Sequence, residues 1–296
     1  MIIVIVGPTA VGKTKMSVEL AKKFNAEIIN GDSMQVYKEL DIGTAKPTEE
    51  EKEGIFHHLF DNVDVKTNYT VFEYQKDCRS KIDEILSRGK NVIIVGGTGL
   101  YIKAALYDYK FTEGTTYNTY DDLTNEEILE KIKEYDNEID IHVNNRKRLI
   151  RTLNKLENNE ELTNNKNDLL YPDTIFIGLT TDRTILYDRI NLRVDKMFNE
   201  GLLDEILKQK ENYKDSKALN SGIGYKEFYD YLFNNKSLEE VREKIKHNSR
   251  RYAKRQYTFF NNQFNVKWFD VNFNKFDLTV KDVVEYIIGK EETDYE

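Results

Sequence analysis

Ile2-Ile3-Val4-Ile5-Val6-Gly7-Pro8-Thr9-Ala10-Val11-Gly12-Lys13-Thr14 is the stretch that decides the fold. An unbroken β-branched run, Ile2 to Val6, suits a strand buried on both faces of a parallel sheet. The residues from Gly7 to Thr14 fit G-x-x-x-x-G-K-S/T, in which glycines let backbone N–H groups turn inward around phosphate oxygens. A helix through Phe24 follows, and its N-terminus adds positive potential to such a cradle. Lys13 would neutralise phosphate oxygens there, and the Thr14 hydroxyl would hold Mg²⁺. Strand, loop and helix stand in the order this chemistry needs. The stretch therefore reads as the site of a di- or triphosphate, set against the plain alternative of a glycine-rich turn.

Outward from this point the chain keeps alternating. Glu27–Asn30 reads as a second strand, and Thr70 opens a helix whose Val71, Tyr74, Cys78, Ile82, Ile85 and Leu86 keep helical spacing up to a cap at Gly89. Asn91–Val95 is another buried-type strand, ending in Gly96-Gly97-Thr98-Gly99. Such a βαβ series implies an α/β fold, a P-loop NTPase-like parallel sheet flanked by helices. Residues 108–140 read as a short helical insertion, with Thr124-Asn125-Glu126-Glu127 as a capping box. Thr174–Leu179 returns to the sheet. Helices are expected over Asp182–Glu200, from Leu203, from near Gly224, and from the capping box Ser237-Leu238-Glu239-Glu240 to about Phe260. Val266–Phe269 would be a last edge strand. The expected organisation is a core over 1–107, the insertion over 108–140, the core continued with basic C-terminal helices over 141–289, and a frayed acidic tail over 290–296. The Asn-rich stretch Asn158–Asn167 reads as a loop.

At 296 residues the chain can bury a full core without disulfides or a structural metal, and Cys78, its one cysteine, excludes an internal disulfide and a cysteine zinc cage. No stretch approaches the roughly 18 apolar residues of a membrane span, so a soluble, cytoplasmic protein is expected. The net charge of −8 hides segregation. Glu113–Asp140 holds ten acidic and two basic residues; Arg146–Lys155 holds five basic and no acidic ones; Arg242–Arg255 holds seven basic residues against Glu243. The basic segments read either as solvated helix faces or as phosphate contacts.

Strand two ends in Asn30-Gly31-Asp32-Ser33. Ligands of open parallel sheets sit beyond the carboxyl ends of strands, so Asp32 should face the cradle, as a general base, an Mg²⁺ partner or a plain turn cap. Where a P-loop NTPase would carry a strand ending in Asp for Mg²⁺, Val92–Val95 ends in Gly-Gly-Thr-Gly. That argues against ordinary ATP hydrolysis and leaves a tight turn or the close approach of a second ligand.

These segments together resemble the tRNA dimethylallyltransferase (isopentenylpyrophosphate transferase) family. They are GPTAVGKT from Gly7, GDSMQVYKELDIGTAKP from Gly31, HHLFD from His57, IVGGTGLYIKAAL from Ile94, IHVNNRKRLIRTL from Ile141, LYDRINLRVDKMFNEGLLDEI from Leu186, SGIGYKE from Ser221 and RRYAKRQ from Arg250. The resemblance implies transfer of a dimethylallyl group from its diphosphate to N6 of the adenosine at tRNA position 37. It makes Gly7 and Thr9, Ala10, Val11, Gly12, Lys13 and Thr14 the prenyl-diphosphate site, with Mg²⁺ on Thr14. Asp32 becomes the base on the adenine amine, Ser33, Met34 and Gln35 line the RNA side, and Arg193 is a second clamp on the diphosphate. Thr98 and Lys147, Arg148, Leu149, Ile150 and Arg151 are placed against tRNA. On the last long helix Val241, Ile245, Tyr252, Gln256 and Phe259 form one stripe, leaving Arg250, Arg251, Lys254 and Arg255 for phosphates. The implied partners are a tRNA anticodon stem-loop and dimethylallyl diphosphate, with no membrane and a monomeric enzyme.

The sequence also departs from the family. Its insertion is shorter and acidic, Asn145 stands where Asp is usual, and Phe259-Phe260-Asn261 replaces Trp-Phe-Arg. Two competing functions differ in what they require. A P-loop kinase of a small metabolite would turn over ATP and need no basic C-terminal helix. A nucleotide-gated RNA-binding protein would make no covalent product.

Overall fold

A computed structural model of the chain describes residues 1–111, 118–158, 162 and 168–293. The chain divides into two compact units, one of Met1–Tyr107 with Leu169–Glu296 and one of Asp108–Asp168. In chain order the first unit begins with β1 (Ile2–Val6), α1 (Lys13–Lys23), β2 (Ala26–Asn30), α2 (Glu49–Lys52), β3 (His57–His58), α3 (Val71–Ser87), β4 (Asn91–Val95) and α4 (Gly99–Leu106). The second unit holds α5 (Asn125–Tyr135) and α6 (Arg146–Glu157). The first unit resumes with β5 (Thr174–Thr180), α7 (Arg183–Asn199), α8 (Leu202–Lys208), α9 (Lys217–Ser221), α10 (Phe228–Phe233), α11 (Leu238–Gln263), β6 (Lys267–Asp270) and α12 (Phe276–Thr293).

The six strands described pair in parallel in the order β3-β2-β4-β1-β5-β6. Alternation along β1 feeds both faces. Ile2, Val4 and Val6 join Tyr74, Ile82, Ile102 and Phe260 on one side, and Ile3 and Ile5 join Met16, Leu20, Val283 and Ile287 on the other. Both sides are covered, which is why the strand reads as an unbroken apolar run. Because β1, β2 and β4 are parallel neighbours, the glycine loop, Asp32 and Gly97 emerge at the same end of the sheet.

Local signals held where they were local. Thr70 and Ser237 cap α3 and α11 with capping boxes, Asp182 accepts from Thr184 and Ile185 at the start of α7, and Gly89 follows α3 at φ 72°. Near Gly224 the chain makes a turn at φ 95°, and the helix begins only at Phe228. At the C-terminus, buried Phe276, Thr279, Val283 and Ile287 mark a helix that the sequence reading lacked. It continues through Thr293, so residues 290–293 extend a helix rather than forming a separate tail; 294–296 lie outside the described residues. Most of Asn158–Asn167 also lies outside them.

The insertion is longer than residues 108–140: the second unit runs to Asp168. The reason is packing, since Leu149 and Leu153 of α6 close a core with Ile128 and Ile132 of α5 and with Ile141. Arg146 ties the same unit together, donating to Tyr120 O at 2.6 Å, Leu123 O at 2.9 Å and Asn125 Oδ1 at 3.0 Å. Cys78 is buried on α3, and burial pushes its thiol up to about 12.

Candidate active site

The phosphate loop is built on backbone geometry open chiefly to glycine. Gly7 has φ 140°, and a Cβ there would come within 2.5 Å of Leu179 O; Gly12 caps α1 at φ 101°. Ala10 holds φ 65°, and its carbonyl accepts from Arg189 Nε at 3.0 Å. Val11 points into the core, so only its backbone can meet a ligand. Lys13 Nζ donates to the carbonyls of Gly7 at 3.0 Å and Pro8 at 2.7 Å. Desolvation, and then the nearby charge of Arg193, lower its pKa to about 7, with Asp32 opposing. Arg193 crosses from α7, donating to Thr9 Oγ1 at 2.9 Å and Thr44 O at 3.3 Å. The Thr14 hydroxyl has no partner among the described residues.

Of the three roles its sequence allowed, Asp32 fills that of the turn cap. Its Oδ1 accepts from the Met34 N–H at 2.9 Å, a turn cap, while Oδ2 makes no hydrogen bond among the described residues. Asn30 holds the turn, accepting from the Asp32 N–H at 2.9 Å and donating to Asp32 O at 2.9 Å and Leu59 O at 3.0 Å. Thr98 Oγ1 accepts from the Ser33 N–H at 3.0 Å and lies 3.2 Å from Ser33 Oγ. The glycines before Thr98 permit this closeness, since a Cβ on Gly96 would fall 2.1 Å from Gly31 C.

Of these groups Thr9, Asp32, Ser33, Met34, Thr44 and Arg193 line one cavity of about 260 Å³, whereas Lys13, Thr14 and Thr98 lie outside its lining. Thr9, Thr44 and Arg193 form its cationic end, Asp32 and Ser33 flank it, and Ile190, Val194, Met197, Ile223 and Ile245 supply an apolar wall. The loop bearing Gly43 and Thr44 is held from below by Glu205, whose carboxylate accepts from the N–H groups of Asp41 (2.9 Å), Ile42 (2.7 Å) and Gly43 (3.1 Å) and from Tyr225 OH (2.7 Å). A cationic pocket end with a free carboxylate oxygen and an apolar wall suits a phosphorylated apolar substrate meeting a proton donor.

Other expected contacts divide. Met34 lines the cavity, whereas Gln35 turns away and donates to Thr44 O and Ala45 O at 3.0 and 3.1 Å. Arg251, Lys254 and Arg255 are exposed on α11, and Arg255 lines the cavity with its guanidinium 5.5 Å from the Tyr252 ring. Arg250 is half-buried, donating to Asn191 Oδ1 at 2.6 Å. In the second unit Lys147, Arg148 and Arg151 are exposed on α6, which Asn145 caps at 3.4 Å from the Arg148 N–H. Leu149 corrects the sequence reading: it is 0% exposed and belongs to that unit's core, and Ile150 packs beside it. Residues the sequence left unassigned are Glu205, Thr44 and Gln256. A polar side chain on the apolar stripe of α11 was the available signal for Gln256.

The family profile described as IPP transferase matches residues 35–263. The chain belongs to the IPP transferase family. The tRNA dimethylallyltransferase of Bacillus cytotoxicus is 47% identical over 305 residues, covering 98% of this chain and 95% of that protein. That of Bacillus licheniformis is 48% identical over 309 residues, with 98% and 97% covered. Among solved structures, the full-length tRNA isopentenylpyrophosphate transferase from Bacillus halodurans superposes with a TM-score of 0.76 at 41% identity, covering 100% of this chain and 99% of that one. A eukaryotic dimethylallyltransferase acting on tRNA gives 0.84 at 29% identity, covering 99% of this chain and 79% of the other. The IPP transferase segment carries Thr98, Arg193 and the α11 arginines; the phosphate loop and Asp32 precede it.

Two further observations bear on what an IPP transferase of this sequence could hold. No cluster of three or more His, Cys, Asp or Glu side chains suited to a metal ion exists among the described residues. Thr14 nonetheless fits Mg²⁺, which binds through few protein oxygens when substrate phosphates supply the rest. No helix of the described residues is long and apolar enough to cross a membrane.

Proposed function

We propose that this chain moves the dimethylallyl group of dimethylallyl diphosphate to N6 of the adenosine at tRNA position 37, giving N6-isopentenyladenosine and releasing diphosphate. The observation that carries this reading is that Asp32, Thr9 and Arg193 line one cavity. The diphosphate lies on the glycine loop, where Lys13 turns from its own carbonyls to phosphate oxygens and Arg193 clamps from α7. Thr14 would hold Mg²⁺, which would add positive charge beside the leaving group. The apolar wall of Ile190, Val194, Met197, Ile223 and Ile245 receives the hydrocarbon tail away from water.

The adenosine must leave its stack, at a cost of a few kcal/mol that is smaller in a loop than in a duplex. As N6 bonds to the allylic carbon, the carbon–oxygen bond to diphosphate breaks, and Asp32 Oδ2 takes the amine proton. Charge building on the departing diphosphate is met by Lys13 and Arg193. The exposed Arg251, Lys254 and Arg255 serve the phosphates of an anticodon stem-loop, as do Lys147, Arg148 and Arg151 on the inserted unit. The enzyme acts as a monomer in the cytoplasm.

The test is incubation with Mg²⁺, dimethylallyl diphosphate and unmodified tRNA, followed by mass spectrometry of the digested nucleosides. A five-carbon gain on that adenosine is expected, slowed about 10²–10⁴-fold in Asp32→Asn under single turnover. No gain, with ATP consumed against a small acceptor, would replace this reading by a kinase.

A further inference from the structure

Gln256 lies on α11 among residues that the stripe sends into the core, and it is 4% exposed. Each end of its carboxamide is engaged across a long sequence distance. Oε1 accepts from the Thr9 N–H at 2.9 Å, and Nε2 donates to Gly97 O at 3.0 Å. The contact with Gly97 is so close that a Cβ there would stand 2.0 Å from Nε2. Tyr252 OH reaches the same carbonyl at 3.3 Å. Thr9 belongs to the phosphate loop; Gly97 precedes Thr98, which holds the Ser33 N–H beside Asp32. One planar group thus joins the loop for the leaving group to the loop for the base. It also occupies the Thr9 N–H, which therefore points at Gln256 rather than into the phosphate cradle.

We propose that Gln256 is a positioning residue that fixes the spacing between the diphosphate loop and the Gly97–Asp32 side of the cavity, and thereby the distance from leaving group to base. This rests on the transferase reading above. The requirement is chemical: a buried side chain of this length must accept at one end and donate at the other. Methionine donates nothing and accepts only weakly through its thioether, and an ionised carboxylate only accepts. A neutral carboxyl does both, with its C=O toward the Thr9 N–H and its O–H toward Gly97 O. In the variant Gln256→Glu the introduced carboxyl would lie beside Tyr252, which shares the Gly97 carbonyl and carries Arg255 on its ring, and near Asp32, whose Oδ2 adjoins Gly97. Arg193, bound to Thr9 Oγ1, and Lys13, bound to the Gly7 and Pro8 carbonyls, are the charges on the loop that Gln256 holds.

The experiment compares wild type, Gln256→Met and Gln256→Glu in steady-state transfer to tRNA, with circular dichroism to establish the folded fraction. For Gln256→Met, KM for dimethylallyl diphosphate should rise about tenfold and kcat per folded enzyme should fall about tenfold, the usual effect of losing a buried hydrogen bond. For Gln256→Glu, the ratio of its kcat to that of wild type should fall by about tenfold as pH rises and the carboxyl loses the proton that serves Gly97 O. A purely structural role would lower the folded fraction but leave KM, kcat per folded enzyme and the pH ratio unmoved, and that result would overturn the proposal. If Gln256→Met does not fold, the pH ratio of Gln256→Glu decides alone: a slope supports positioning, a flat ratio refutes it. Absence of transfer by the wild type would instead remove the transferase reading itself.

Discussion

Lys13 in the free protein is bound to the carbonyls of its own loop, and its ammonium is pushed down to about 7. An arriving diphosphate raises that pKa again by adding negative charge. A group whose pKa is higher in the bound than in the free state contributes affinity that is complete below the free value and is lost as pH rises through the bound value. Affinity for dimethylallyl diphosphate should therefore decline above about pH 7, by at most about tenfold per pH unit. Calorimetry at several pH values checks this, and Lys13→Ala should bind more weakly at neutral pH with a flat profile above it. Lys13, Thr14 and Asp32 were legible because a phosphate loop and a strand end are local patterns. Gln256 was not, since its partner Thr9 stands 247 positions away and only the packing of α11 brings them together.

At the scale of elements, the segment Asp41–Thr44 has no regular structure, and its shape depends on a carboxylate from α8. Glu205 accepts four hydrogen bonds there, three from backbone N–H groups. Glu205→Gln offers a single acceptor oxygen and adds an amide that needs acceptors of its own. It should cost about 2–3 kcal/mol in urea unfolding, as for charge-assisted hydrogen bonds, and should raise KM for the diphosphate because Gly43 and Thr44 line the cavity. Helix α11 is legible from its capping box, yet its two faces do different work. Of the expected stripe Val241, Ile245 and Gln256 are buried and Tyr252 and Phe259 half-buried, Phe260 taking the fully buried place beside Phe259, while Arg251 and Arg255 stay in solvent. Replacing both arginines by alanine should flatten the slope of log affinity for tRNA against log salt by roughly 1–2. An unaltered slope would make that face a solvated surface only.

For the whole molecule, the parallel sheet was legible because β1 and β4 are apolar runs that each end in a glycine-rich turn, with helical patterns between the strands. The extent of the inserted unit was not, because acidic α5 and basic α6 differ so sharply in charge that they read as separate pieces. Their shared core of Ile128, Ile132, Ile141, Leu149 and Leu153 joins them. Leu153→Ala should destabilise that core by about 2–4 kcal/mol, and hydrogen exchange should speed up within residues 118–158 more than along β1 or β4. The equally unread α12 closes one face of the sheet, where Phe276 packs against Gly12 of the phosphate loop.

One buried side chain on the opposite face of the sheet has a practical consequence. Thiol reagents attack the thiolate, and Cys78 is both enclosed on α3 and held in its neutral form. The chain should therefore stay unlabelled by maleimides and iodoacetamides under native conditions, as mass spectrometry of the treated protein would check. A cysteine placed at Lys147 or Lys254 would be its sole reactive sulfur, so a fluorophore or a cleavage reagent could be attached at one chosen point. Each face of the protein can then be interrogated separately for the RNA that passes it.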